Sequence, residues 1–129
     1  HDVNFLIFHG QSLEDITSSV PNINYYQPEQ SMKYLLRVRH LAPIYGNNTQ
    51  IALEVEDKLV IEEKPDVFHA GHVHISGADT YRGTRIINSG TLQEVTPYQE
   101  GLGMTPTTGS FAVYLLNQGR VAILNAKNL

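Results

Sequence analysis

Cysteine is absent from the 129 residues. Disulfides, cysteine-type zinc sites and thiol catalysis are thereby excluded. No run of about 18 apolar residues occurs, so no membrane-spanning helix is expected, and no secretory leader is visible. An excess of positive charge is lacking too: the formal net charge is −4 and the pI is near 5.8. That argues against a generic electrostatic binder of nucleic acid, which is usually basic overall. It does not exclude an enzyme acting on nucleic acid, because a bound metal brings positive charge of its own. Charged residues make up only 17% of the chain, unlike the ion-pair-rich composition of hyperthermophiles. There is no repeat, no low-complexity tract and no interior domain boundary. The first residue is His rather than Met, which fits a piece of a longer protein.

What is present is globular. Hydrophobic residues make up 41% of the sequence, and its length suits one domain with a buried core. Val3 to Phe8 reads as a buried strand ending at His9-Gly10. Ser12 is placed to cap a short helix. Pro28 opens a second helix, in which Met32, Leu35, Val38 and Ala42 recur on one face. Lys33, Arg37 and His40 fall nearly opposite. They form either a solvated face or a basic stripe that meets phosphates. Strands are predicted near Leu59–Ile61 and over Val67–Ala70. A hairpin with Arg82-Gly83 at its tip follows. Leu92 to Ser110 reads as a long loop. A second hairpin over residues 111–124 is expected to join the core sheet. This order is that of an α/β layered fold, with chemistry on loops at strand ends.

The chemistry-bearing stretch is Phe68-His69-Ala70-Gly71-His72-Val73-His74, followed by Asn88-Ser89-Gly90. In extended backbone, residues two apart leave on the same side, and Gly71 offers a sharp turn before them. His72 and His74 therefore suit a metal such as Mn, Fe, Ni or Zn, or else are two polar residues on a wet face. His9 follows a strand and either joins them or caps a turn. His69 is expected to pack locally. Asp57, Asp66 and Asp79 are better read as turn or surface acids, so the residues alone give half a metal site.

An apolar strand ending in His9-Gly10, then Gly71-His72-Val73-His74, then Asn88-Ser89-Gly90 resembles the C-terminal half of a calcineurin-like metallophosphoesterase. More narrowly, four segments are similar to the small-subunit family of archaeal two-subunit DNA polymerases (DNA polymerase II, family D). They are Phe8-His9-Gly10-Gln11-Ser12, the run from Arg37 to Gly46, the run from Leu59 to His69, and Gly71 to Ile75. The run Arg37-Val38-Arg39-His40-Leu41-Ala42-Pro43 is far more specific than Gly-His-x-His. The resemblance covers nearly the whole chain, so residues 1–129 are expected to be one portion of a layered α/β/β/α sandwich.

By position, the resemblance implies that His9 and His72 bind one metal and His74 another. It implies two Mn2+ ions, and a 3′→5′ exonuclease that trims DNA 3′ ends for proofreading. Its partners are a large catalytic polymerase subunit and a DNA 3′ end, with no membrane, and a cytoplasmic protein is expected. The family's Asp-x-His, Gly-Asp and Gly-Asn-His motifs, which include the acid His, lie upstream of such a segment and are absent here, as is the N-terminal oligonucleotide-binding-type domain. His1-Asp2 is not a replacement for them. Leu53 stands where the pattern carries Pro. The isolated chain is therefore expected to be inactive. Two alternatives remain at this stage: a non-catalytic scaffold subunit with a degenerate phosphoesterase fold, and another calcineurin-like phosphoesterase. A globular domain with idle histidines is the bland reading.

Overall fold

The computed structural model describes residues 2–128. Three parallel strands, β1 (Phe5–Ile7), β2 (Val67–Ala70) and β4 (Thr84–Asn88), form one sheet with antiparallel β3 (Gly77–Tyr81), in the order β1-β2-β4-β3. Between β1 and β2 run two helices, α1 (Ser12–Ser19) and α2 (Pro28–Val38). A helical crossover is what a parallel pair of strands requires. The chain is thus α/β with a mixed sheet, consistent with part of a phosphoesterase-like fold.

Register sorts the side chains. Leu6, Phe68 and Ile86 lie side by side on one face. They meet Leu13 and Ile16 of α1 and Met32 and Leu35 of α2 in the main core. The opposite face carries Phe5, Ile7, Val67, His69, Arg85 and Ile87. Against part of it, leaving Ile7 uncovered, rests a separate two-stranded sheet of β5 (Ser110–Leu115) and β6 (Arg120–Asn125). Phe5 meets the Tyr114 ring edge-on at 5.6 Å, and Arg85 Nε donates to Gly119 O at 3.0 Å. Helices, mixed sheet and hairpin make three layers.

The β3–β4 hairpin is as predicted. Arg82 (φ 48) and Gly83 (φ 88) are both left-handed, which a type I′ turn demands. Several expectations need correcting. The first strand is not buried. It is a short edge strand with Phe5 46% and Ile7 74% exposed, because nothing among the described residues pairs its outer edge. Ser12 lies inside α1 and not at its cap, Gln11 being the N-cap. Its Oγ donates instead to Leu41 O. Helix α2 stops at Arg39, which turns left-handed (φ 59). Val38 is therefore exposed, and Ala42 is buried from a loop rather than from the helix.

The basic stripe dissolves as well. Lys33 pairs with Asp79, and His40 leaves the helix to meet Asp57 at 2.8 Å. No strand forms at Leu59–Ile61; Val60 makes a single bridge to His40. The long loop contains α3 (Pro97–Gly101), started by a Thr96/Gln99 capping box. The second hairpin stands outside the core sheet. Asp15, in the first turn of α1, is buried, and its two oxygens accept from Asn48 N and Thr49 N at 3.0 Å each.

Candidate metal centre

The site is built where β1 and β2 end. Gly71 N donates to His9 O at 3.1 Å, so the two strand ends touch backbone to backbone. The glycine that permits this is Gly10. Its φ is 101, and a Cβ there would sit 2.7 Å from Gly71 O. The sharp turn expected at Gly71 falls instead on His72, whose φ is 61. Val73 N closes it by donating to Gly71 O at 2.7 Å. An i→i+2 bond around a residue of positive φ is the strained form of γ-turn. Such strain is typical of functional positions.

The turn aims the His72 ring at the His9 ring. Nδ1 of His72 and Nε2 of His9 are 2.9 Å apart, with ring centroids at 4.8 Å. Two nitrogens each about 2.1 Å from a common ion, at right angles, would lie about 3.0 Å apart. The pair therefore fits adjacent positions on one octahedral ion. The far nitrogen of His72, Nε2, is 3.7 Å from Glu14 Oε1. At that distance the two are not hydrogen-bonded, and the carboxylate is a nearby charge rather than a clamp on the ring.

His74 is held differently. It lines the same cleft as His72, of about 580 Å3, together with Glu14, Tyr25, Tyr98 and Gln99; His9 does not line it. No direct contact joins His74 to His9. Gln99 Oε1 accepts from Thr96 N at 3.0 Å, so its amide nitrogen is the atom that donates to His74 Nδ1 at 2.9 Å. Nδ1 thus accepts, and the neutral ring carries its proton on Nε2. For Nε2 to face an ion, the Gln99 amide must turn over and release Thr96. Among the described residues, no group of three or more His, Asp or Glu side chains is gathered closely enough to hold a metal ion. Two donors meet in this chain, and a third is not with them.

Beneath the histidines lies Asn88. It is 0% exposed, at the end of β4. Its amide nitrogen donates to Val73 O at 2.7 Å and Ile75 O at 2.6 Å. Both partners are carbonyls, which fixes the amide's orientation and leaves Oδ1 buried without a partner. From outside, Thr107 N donates to His74 O at 2.9 Å. Three successive carbonyls of the turn are therefore held. Sequence reading singled out Asn88 only as part of a motif. Its position at the end of an apolar strand, where an amide has few reasons to be buried, was the available signal.

The other two described histidines, His69 and His40, serve locally. His69 Nε2 bonds Ser89 Oγ at 2.6 Å. Burial pushes its pKa below the ordinary 6.5. The folded protein therefore takes up this proton at lower pH than the unfolded chain does. His69's contribution is intact above about pH 6.5 and is lost as pH falls toward the folded pKa. His69→Gln is expected to flatten the acid limb of a stability-versus-pH curve measured by urea denaturation. His40 accepts from Ala42 N through Nδ1 at 3.0 Å, and its Nε2 meets Asp57. That hydrogen bond, with one from Leu59 N, lowers the Asp57 pKa.

A mixed sheet flanked by helices, with a strained His-x-His turn at its parallel strand ends, is consistent with part of a phosphoesterase-like α/β fold. No family model matches the chain. It is homologous over most of its length to proteins named DNA polymerase II small subunit in archaea. It is 46% identical to that of Archaeoglobus fulgidus over 112 residues, which are 87% of this chain and 23% of the relative. The Methanothermobacter thermautotrophicus protein is 45% identical over 122 residues, 95% of this chain and 25% of the relative. For Pyrococcus furiosus the figures are 42% over 121 residues, 94% and 20%. The chain spans about a quarter or less of the length of these curated relatives.

Proposed function

We propose that this chain is the C-terminal portion of the phosphoesterase domain of an archaeal DNA polymerase small subunit, and that the whole subunit is a metal-dependent 3′→5′ exonuclease acting beside a large catalytic subunit. The observation that carries this reading is the 2.9 Å approach of His9 Nε2 to His72 Nδ1. It is supported by the identity of 42–46% to proteins of that name. His9 and His72 would share one ion, and His74 would serve a second; manganese is the ion that the family resemblance implies, and a hard ion of that kind would need the carboxylates of a longer chain beside these imidazoles. The ions, when bound, would supply Lewis acidity and an activated water.

The chain's own residues prepare that chemistry. Glu14 places a carboxylate 3.7 Å from His72 Nε2. Asn88 and Thr107 hold the turn's carbonyls. The cleft lining includes no Lys or Arg, so a phosphodiester entering it would meet positive charge only through the ions. With two donors gathered and no carboxylate bridging them, the isolated chain is expected to release no nucleotide from single-stranded DNA with manganese. A longer chain that adds the carboxylate motifs is expected to digest the same DNA from its 3′ end. His74→Ala in that longer chain is expected to cost a hundredfold or more, on the order of 3 kcal/mol in transition-state stabilisation. Robust cleavage by the isolated chain would overturn the view that its site is partial. An inactive longer chain would favour the scaffold reading.

A further inference from the structure

Nine Lys and Arg face thirteen Asp and Glu in this chain, so acidic partners are in surplus. Lys33, Lys58 and Lys127 have each taken one, pairing with Asp79, Glu54 and Glu94. Arg37, Arg39, Lys64 and Arg82 make no ion pair among the described residues. All four are exposed, and all four line one cavity of about 190 Å3. Glu63 is the only acid lining it. Four cations less one acid give the cavity a formal +3, in a chain whose total is −4.

Local structure gathers these charges. Arg39 caps α2 in left-handed backbone, and its guanidinium donates to Ile61 O at 2.7 Å and to Glu62 O. Those carbonyls hold it without neutralising it. Arg82 sits at the hairpin tip, 5.4 Å from the Tyr81 ring. Lys64 Nζ reaches Arg82 O at 3.5 Å. Arg37 occupies the last turn of α2. Four like charges against the single carboxylate of Glu63 repel one another on balance, so the free protein bears a cost that an anion would lessen.

We propose that this cavity is an anion site that takes a phosphate group. Three guanidinium forks suit the oxygens of a phosphate. A local +3 matches a dianion or a run of phosphodiesters better than a single carboxylate. The site is separate from the histidines. Thr84, which lines the cavity, begins β4, and Asn88 ends it. At about 3.3 Å per residue, the two lie about 13 Å apart. The inference therefore does not depend on the metal reading.

The test uses the chain itself, 15N-labelled. Arginine Nε–Hε signals and the Gly83 amide are followed by NMR as inorganic phosphate is added. A labelled oligodeoxythymidylate is then titrated by fluorescence anisotropy at several salt concentrations. The variant is Arg37→Gln/Lys64→Gln, both positions exposed. The control is Lys58→Gln/Lys127→Gln, which makes the same change in net charge. Phosphate is expected to shift the Arg39, Arg82 and Gly83 signals in wild type and control but not in the variant. Oligonucleotide affinity is expected to fall about tenfold in the variant alone. Its log K against log salt should flatten by about 1.4, two contacts at about 0.7 each. An effect confined to inorganic phosphate marks a free phosphate or nucleotide as the ligand; one confined to the oligonucleotide marks a nucleic-acid backbone. Equal behaviour of variant and control in both arms overturns the proposal. So does tighter binding of an oligoglutamate of matched charge.

Discussion

Asn88→Ala is expected to lower stability by about 3 kcal/mol. The side chain is wholly buried, and its amide is the partner of two buried carbonyls, Val73 O and Ile75 O. Stranding buried acceptors costs about 1–3 kcal/mol each, and the small void adds to it. The unpartnered Oδ1 works the other way, since its removal relieves one unsatisfied atom. Two losses against one relief leave the balance near the figure given. The loss is not spread evenly. The freed carbonyls belong to the turn that aims His72, so the NMR cross-peak between the His9 and His72 rings is expected to vanish. Thr84→Val is the matched comparison. It removes a buried side-chain bond of 2.7 Å to Pro65 O at the other end of the same strand. It should lower the melting temperature yet keep the ring cross-peak. An Asn88→Ala protein that retains the cross-peak would reduce Asn88 to a filler of space.

Removing either ring is expected to have the larger effect on metal. In the longer chain that adds the carboxylate motifs, His9→Ala or His72→Ala should each weaken cobalt(II) binding, followed by its visible absorption, at least about a hundredfold, since even outer-shell partners carry ten- to a hundredfold. On the proposed reading one ion takes both nitrogens, which are 2.9 Å apart, so the two losses should not add. The double variant should bind no more weakly than the worse single one, as expected for side chains that act as a unit. Independent, additive losses would mean that the rings serve different ions. Position 72 allows a further check, because its backbone is left-handed. His72→Gly and His72→Ala both delete the ring, but only glycine adopts this backbone without strain. The Gly variant should be the more stable by about 1 kcal/mol.

How much of this was legible beforehand depended on range. Local signals held. Arg82-Gly83 announced its turn, and Pro28 announced the start of α2, because each acts through its own backbone. The convergence of His9 with His72 followed from strand ends in a parallel sheet and from the resemblance of the motifs. What was missed depended on partners distant in sequence. Ser12 looked like a cap until Leu41 offered its carbonyl. Leu59–Ile61 has the composition of a strand, yet among the described residues it finds only His40 to bridge. Phe5 and Ile7 read as buried because their composition is apolar, but burial needs a covering element, and Ile7 has none. The sharp turn was expected at Gly71, the residue type that bends most freely, while the fold placed it on His72, in left-handed backbone. Composition does not reveal strain that tertiary structure imposes.

The main-chain bond from Gly71 to His9 O carries one more consequence. Because Gly10 has no side chain, nothing stands between the two loops, and their spacing is gauged by peptide groups alone. Donors mounted on them are interchangeable parts on a fixed jig. An engineer could seat a carboxylate or an amide in place of either imidazole and find the gap between the mounts unaltered.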